Sequence, residues 1–236
     1  MRWGALVLAA LLLTGCESTQ EKSAQLEKAA HHVHLADKGL SITRQSAYVK
    51  VLDAQVIHSS QATAAVITLR NSGPSALRDV PIAITVRGAH GNVLFENNAG
   101  GIEAALTSVA LLQPGAQTVW VDDQVQAAEP PSAVSALVGE GSSVSQIPQL
   151  SVSAITSVEG AGGVPAATGL VHNQSTVTQR NLVVYGVARR AGKIVGAGRA
   201  IVPELATHQS DKVEIYFTGQ TKGAQLQMNA PPTTFS

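Results

Sequence analysis

The stretch Asn71–Val86, NSGPSALRDVPIAITV, decides the fold because the chain contains it twice. The second copy, Asn173–Ala188, reads NQSTVTQRNLVVYGVA and aligns without gaps at an offset of 102 residues. Both copies begin with Asn, share an Arg at Arg78 and Arg180, and continue into a short aliphatic run. Short runs of aliphatic and β-branched residues between turn signals are typical of β-strands. The sequence therefore predicts a duplicated all-β unit.

The match between the copies extends beyond this stretch. After the loss of one residue in a turn, Gly91–Leu94 aligns with Gly192–Val195, and the strand pattern Thr118–Val121 has an equivalent in Val213–Phe217. Each copy then holds about seven short strands in fewer than about 100 residues, which is typical of an immunoglobulin-like β-sandwich. The predicted fold class is all-β, with two tandem immunoglobulin-like β-sandwiches.

The N-terminus has the pattern of an export signal. Arg2 precedes an uninterrupted apolar run, Ala5–Leu13. A membrane-spanning helix needs about 20 apolar residues, so this shorter run is typical of a signal-peptide core. The run continues into a sequence that resembles the bacterial lipobox: Leu13, Thr14, Gly15 and Cys16.

The lipobox resemblance implies cleavage before Cys16 and a diacylglycerol thioether on its sulfur. Two or more acyl chains anchor a protein stably to a membrane. We therefore expect an exported lipoprotein, held by membrane lipid on the outer face of the cytoplasmic membrane or in the periplasm or outer membrane. The alternative is an ordinary signal peptide that happens to end near a cysteine.

The domain organisation follows from the repeat and the export signal. In the tether, Leu26, Ala30 and Val33 recur at helical spacing and allow a short helix. The predicted segments are a signal peptide (1–15), the lipid-anchored tether (16–45), the first β-sandwich (46–141), a linker (142–149) and the second β-sandwich (150–232).

The second repeat resembles the FxLYD-type β-sandwich domain of secreted bacterial lipoproteins. The resemblance is carried by Asn181–Val195, NLVVYGVARRAGKIV, and by the closing residues Gly223–Leu226 and Ala230–Pro232. Where the family motif has Leu-Tyr-Asp before the turn, this chain has Val187–Arg189, Val-Ala-Arg. The resemblance implies a β-sandwich fold and says almost nothing about activity.

The composition bears on the classes of site that the chain can form. Cys16 is the single cysteine, so neither an intramolecular disulfide nor a Cys₂His₂ or Cys₄ zinc site can form. The formal net charge is +0, which does not favour a nucleic-acid partner. The sequence lacks the Gly-x-Ser-x-Gly pattern of a serine nucleophile elbow. We expect no enzyme activity, no catalytic residue and no cofactor.

Basic residues crowd one predicted hairpin turn of the second repeat. Arg189, Arg190 and Lys193 lie around the turn, and Arg199 follows on the returning strand. Residues 142–236 carry 7 bases and 4 acids, whereas residues 46–141 carry 4 bases and 8 acids. Such a tip attracts an anionic polymer, a lipid headgroup or an acidic protein. The alternative is a solvated hairpin with no partner.

Trp120 is the aromatic candidate for a ligand contact. If Val119 and Val121 face the core, strand alternation places Trp120 on the outside, where it could stack on a sugar. Two histidines of the tether, His31 and His34, are weak candidates for metal ligands, and the alternative is a solvated spacer.

The sequence favours a non-catalytic interaction or scaffold protein of the cell envelope, whose partner is another envelope protein. Loops at the ends of β-sandwiches commonly carry binding surfaces. The second hypothesis is a binding module for cell-wall glycan or an anionic envelope polymer.

Overall fold

Strands form throughout the repeats because short apolar runs alternate with polar residues between turn signals. The computed structural model describes residues 39–235. The first repeat contains β1 (Val49–His58), β2 (Thr63–Asn71), β3 (Ala76–Gly88), β4 (Val93–Glu96), β5 (Ser108–Leu112), β6 (Gln117–Asp122) and β7 (Pro131–Val138). After β8 (Ser142–Val144), the second contains β9 (Leu150–Glu159), β10 (Pro165–Asn173), β11 (Gln179–Arg190), β12 (Lys193–Leu205), β13 (Ser210–Tyr216), β14 (Thr218–Gly219) and β15 (Gln225–Asn229).

The two repeats share one topology. In the first repeat one sheet has the order β1-β2-β6, and the other is built on β3, which pairs with β4 and β5 and also with β7 and β8. In the second repeat the corresponding sheets are β9-β10-β13 and β14-β12-β11-β15. All paired strands are antiparallel. The all-β prediction is confirmed, and the immunoglobulin-like assignment stays a prediction.

The duplication is visible in individual hydrogen bonds. Asn71 donates from Nδ2 to the carbonyl oxygens of Ser75 and Leu112, at 2.8 and 3.0 Å. Its equivalent Asn173 donates to the carbonyl oxygens of Val177 and Leu205, at 2.9 and 3.1 Å. Both side chains are buried. The Asn that begins each quoted stretch therefore fixes the turn between the second and third strands of its repeat.

The repeats differ opposite their long central strand. In the second repeat β12 is a single strand of 13 residues that pairs along the length of β11. In the first repeat the corresponding strand is divided into β4 and β5 by residues 97–107, which include a short 3₁₀ turn at Ala104–Leu106. We call residues 97–107 the insertion.

The two repeats pack against each other through a shared core. The core of the first repeat includes buried residues of β2 and β6, and it continues into Val183, Tyr185, Val187, Ile194 and Ala197 of the second. A separate core lies between the two sheets of the second repeat and contains Leu182, Val184 and Ile215 among others. Strand β11 is therefore buried on both faces. The described residues, 39–235, form one compact unit.

The segment expected to be a linker takes part in this unit. Its first residues form β8, which pairs with the start of β3 through Ala76↔Val144 and Arg78↔Ser142. The chain enters the unit beside the first repeat, where Ser46 N donates to Val138 O at 3.0 Å.

Candidate functional site

The turn between β11 and β12 carries the basic residues that the sequence singles out. Arg190 and Lys193 pair across the hairpin, and Ala191 and Gly192 occupy the two turn positions. Both turn residues have positive φ, 48° at Ala191 and 79° at Gly192. Two consecutive positive φ values are typical of the type I′ turn, whose twist matches that of the flanking strands. The turn is therefore tight, and the basic side chains lie on its two strand ends.

The structure adds a fourth base to this tip. Arg190 donates to the carbonyl oxygen of Lys222, in the connection that leads into β15. Arg189 Nε donates to Gln227 Oε1 at 3.3 Å. We call Arg189, Arg190, Lys193 and Lys222 the basic tip. None of the four forms an ion pair with another residue in the described part of the chain.

The equivalent tip of the first repeat is different. Arg87, which aligns with Arg189, donates from Nη1 to Gly91 O at 2.9 Å. Beside it, Asn92 Nδ2 donates to Glu129 Oε1 at 2.8 Å, so an acid lies next to this turn. The concentration of unpaired positive charge is thus a property of the second repeat.

Arg199 does not belong to the basic tip, contrary to the sequence-based expectation. Its side chain is 4% exposed, and it lies where the repeats meet. Nε donates to Asp123 Oδ1 at 3.0 Å, and Nη2 donates to Glu103 Oε2 at 3.1 Å. Burial lowers the pKa of Arg199, but the hydrogen bond to Glu103 and the charge of Asp123 outweigh that effect and raise it. Arg199 joins the second repeat to the first and is not available to an external partner.

Two further ionisable groups are buried near Arg199. Tyr185, its cross-strand neighbour, has its pKa raised by burial. Asp122 is fully buried at the end of β6, and burial raises the pKa of its carboxyl to about 6. A hydrogen bond from Gln124 N to Oδ1, at 2.9 Å, opposes this rise. Oδ2 of Asp122 has no hydrogen-bond partner among the described residues.

Trp120 is fully buried, so the expected exposed position is wrong. Its Nε1 donates to Ala105 O at 3.1 Å. Both faces of the β1-β2-β6 sheet are covered, one by its own repeat and the other by the second repeat. Side chains that alternate along β6 therefore face either the core of the first repeat or the second repeat, and neither face is open to solvent. The chain loses its best candidate for a sugar-stacking platform.

The remaining sequence candidates lie outside the described residues. These are the lipobox with its lipid attachment residue Cys16, and the histidines His31 and His34. Within residues 39–235, no group of three or more His, Cys, Asp and Glu side chains could hold a metal ion. The same residues include no helix that is long and apolar enough to cross a membrane.

Lys222 is the contact residue that sequence reasoning missed. It lies 32 residues from Arg190 along the chain, and the pairing of β15 with β11 brings the two together. The turn signal around Gly223 was visible in the sequence, but the register that places it beside the basic hairpin was not.

No family model matches the chain, and no curated protein is significantly similar to it in sequence. The lipobox and the FxLYD-type resemblance therefore stay predictions from the sequence.

Proposed function

We propose that this chain is an exported, membrane-anchored lipoprotein that acts as a non-catalytic interaction protein of the cell envelope. The lipobox resemblance at Leu13–Cys16 supports export and membrane anchoring. The observation that carries the interaction role is the basic tip, where four exposed or half-exposed bases meet without an ion pair to any described residue. Such a surface steers an acidic partner toward one end of the molecule.

The basic tip suits a protein contact because its backbone is held firmly. The tight turn fixes Arg190 opposite Lys193, and the hydrogen bond from Arg190 to Lys222 O fixes the neighbouring connection. Charged side chains on rigid elements lose less conformational entropy on binding than those on loose loops. The partner that this surface would recognise is an envelope protein with a cluster of carboxylates.

Membrane anchoring is tested by Cys16→Ala, which removes the sulfur that would carry the lipid. We expect the variant to move from the membrane fraction to the soluble fraction, because a chain without acyl groups lacks its anchor. Cell fractionation followed by immunoblotting measures this, with Cys16→Ala compared to the unchanged protein. A variant that stays in the membrane fraction contradicts the lipid anchor.

The interaction role is tested by reversing charge at the tip with the double variant Arg190→Glu, Lys193→Glu. Chemical cross-linking in intact cells, followed by affinity recovery, measures the amount of acidic partner bound. We expect at least fivefold less recovery than with the unchanged protein. The matched control is Arg87→Glu at the first repeat's tip, which should leave recovery unchanged. Equal recovery with the double variant contradicts the proposal.

A cell-wall glycan or an anionic envelope polymer is the second candidate partner. The buried position of Trp120 weakens the case for a glycan partner, because this ring cannot stack on a sugar. An anionic polymer would use the same positive charge as an acidic protein, and it would be recovered in the cross-linking experiment as wall polymer in place of protein.

A further inference from the structure

The insertion of the first repeat and the start of β11 in the second repeat form two walls of a cleft. Glu103 and Ala104 lie on the insertion side, and Asn181, Val183 and Tyr185 lie on the β11 side. The cleft has a volume of about 280 Å³, just below the range of about 300–1,000 Å³ that is typical of clefts for drug-sized ligands. We call it the inter-repeat cleft. Its size suits a ligand of one small ring.

Tyr185 brings an unpartnered hydroxyl group to this cleft. The residue is 3% exposed, and its hydroxyl group forms no hydrogen bond within residues 39–235. The enclosed side-chain atoms without a partner in the described chain are Asp122 Oδ2 and Arg199 Nη1, and the Tyr185 hydroxyl is not among them. Its oxygen therefore keeps access to the open space of the cleft that Tyr185 lines. Burial raises the pKa of Tyr185, so the hydroxyl group keeps its proton and can donate a hydrogen bond to a ligand.

The fold does not require a hydroxyl group at this position. Tyr185 aligns with Ala83 at the 102-residue offset of the repeat. Ala83 is half-buried in β3, so the equivalent strand position forms without an aromatic ring or a polar group. A Phe would supply the same apolar ring to the core in which Tyr185 takes part. Packing alone therefore does not account for the hydroxyl group, which is left available to a ligand.

The charged residues that line the inter-repeat cleft are already paired within the chain. Asp79, Glu103 and Arg180 are these residues, and their ion-pair partners are Arg78, Arg199 and Glu204 respectively. A ligand therefore needs no net charge. Glu103 accepts from Arg199 through Oε2, which leaves Oε1 as an acceptor, and its charge acts on the nearby Tyr185 phenol. A neutral ligand that accepts from Tyr185 and donates to Glu103 needs both capacities, which a hydroxyl group combines at one oxygen.

We infer that the inter-repeat cleft binds one neutral sugar ring, either a free monosaccharide or the terminal unit of a glycan. One hydroxyl group of the sugar would accept from Tyr185 Oη, and a neighbouring one would donate to Glu103 Oε1. The exposed side-chain amide of Asn181 forms no hydrogen bond with another described residue, and it would bind a third hydroxyl group. The C–H groups of the ring would pack on Ala104 and Val183. This site goes beyond the proposed role of the basic tip and uses none of its residues.

A titration followed by saturation-transfer-difference NMR tests the site on the purified full-length protein. The probes are the methyl glycosides of glucose, galactose, mannose and N-acetylglucosamine, with tetrahydropyran as the same ring without hydroxyl groups. We expect at least one glycoside to bind at least fivefold more tightly than tetrahydropyran. Tyr185→Phe, which removes only the hydroxyl group, should weaken that binding at least fivefold. The matched control Tyr216→Phe, at an exposed residue of β13, should change it less than twofold.

A second pair of variants tests the position of the site. Ala104→Trp fills the cleft with a large ring and leaves Tyr185 intact, so it should also weaken binding at least fivefold. Ala99→Trp makes the same substitution at an exposed residue of the insertion that does not line the cleft, and it should change binding less than twofold. Urea unfolding checks that each variant is folded.

The linear tetrasaccharide of the sugar that binds best separates the two sources. Binding at least as tight as that of the methyl glycoside identifies a glycan end, and weaker binding identifies a free monosaccharide. The inference is overturned if no glycoside binds more tightly than tetrahydropyran, or if Tyr185→Phe leaves the binding unchanged. Neither result involves the basic tip, so either one leaves the proposed envelope role untouched.

Discussion

Ala191 and Asp122 lie in environments that their side chains do not favour. Ala191 has a positive φ of 48° in the turn of the basic tip, a conformation that suits Gly or Asn better than Ala. Asp122 is a carboxylate in a fully buried position with one unpartnered oxygen. Each leads to a measurable effect on the free energy of unfolding.

Ala191→Asn should stabilise the protein by about 0.5–1 kcal/mol, because Asn tolerates the left-handed conformation that a type I′ turn requires. Urea unfolding measures the change. The control is Ala128→Asn at an exposed loop residue without positive φ, which should shift stability by less than about 0.5 kcal/mol. A decrease in stability with Ala191→Asn would mean that the turn is not under this strain.

Asp122→Asn should make stability less dependent on pH. The pKa of Asp122 is raised from 3.8 to about 6 in the folded protein, so its contribution to stability is complete below pH 4 and is lost as pH rises through 6. Between pH 4 and pH 7 the stability of the Asn variant relative to the unchanged protein should therefore rise by about 3 kcal/mol, following 1.36 kcal/mol per pKa unit. Urea unfolding at pH 4, 5, 6 and 7 measures this. A constant difference between the two proteins would show that Asp122 does not titrate as its burial implies.

At the scale of elements, the Asn97 side chain makes hydrogen bonds to β3 at the place where the insertion interrupts its partner strand. Strand β3 pairs with β5 up to Pro81 and with β4 from Thr85 onward, which leaves a gap on that side. Asn97 fills it: Oδ1 accepts from Ile84 N at 2.7 Å, and Nδ2 donates to Ile82 O at 3.0 Å. Nδ2 also donates to Leu106 O at 2.7 Å and so holds the insertion against the sheet.

Asn97→Ala should destabilise the protein by about 3 kcal/mol, because it leaves three buried backbone groups without their partner, each at ~1–3 kcal/mol. Asn98→Ala removes an exposed amide beside it and should change stability by less than about 0.5 kcal/mol. Thermal and urea unfolding compare the two. Similar small effects would mean that water replaces the Asn97 side chain.

The elements also show how far sequence reasoning reaches. The gap-free match predicted the duplicated strands, because a strand's pattern and its turn residues are local. The insertion was not recognised, because the interruption of a strand is defined only by its partner β3. Alternation allows an exposed Trp120, but this residue is fully buried, because alternation separates the two faces of a strand and does not say what covers each face.

At the scale of the whole molecule, the repeats differ on the face that joins them. By register, Val119 and Val121 of β6 correspond to Lys212 and Glu214 of β13. Lys212 and Glu214 are exposed, whereas Val121 is fully buried. Equivalent strands therefore carry valines in the first repeat and charged residues in the second. This difference is the signal in the sequence that this sheet face is covered in the first repeat and open to water in the second.

Val121→Glu should therefore separate the two repeats. It places the charge found at Glu214 into a covered face, which should lower the free energy of unfolding by about 3 kcal/mol or more, since a buried charge without a partner is strongly unfavourable. The unchanged protein should unfold in one transition because its repeats share a core. The variant should unfold in two transitions, as followed by Trp120 fluorescence and circular dichroism, with a larger radius of gyration in small-angle scattering.

Val93→Glu makes the same substitution at a residue that is 50% exposed and should do neither. A single transition in Val121→Glu, with an unchanged radius of gyration, would show that Arg199 and its two carboxylates hold the repeats together without the apolar contact.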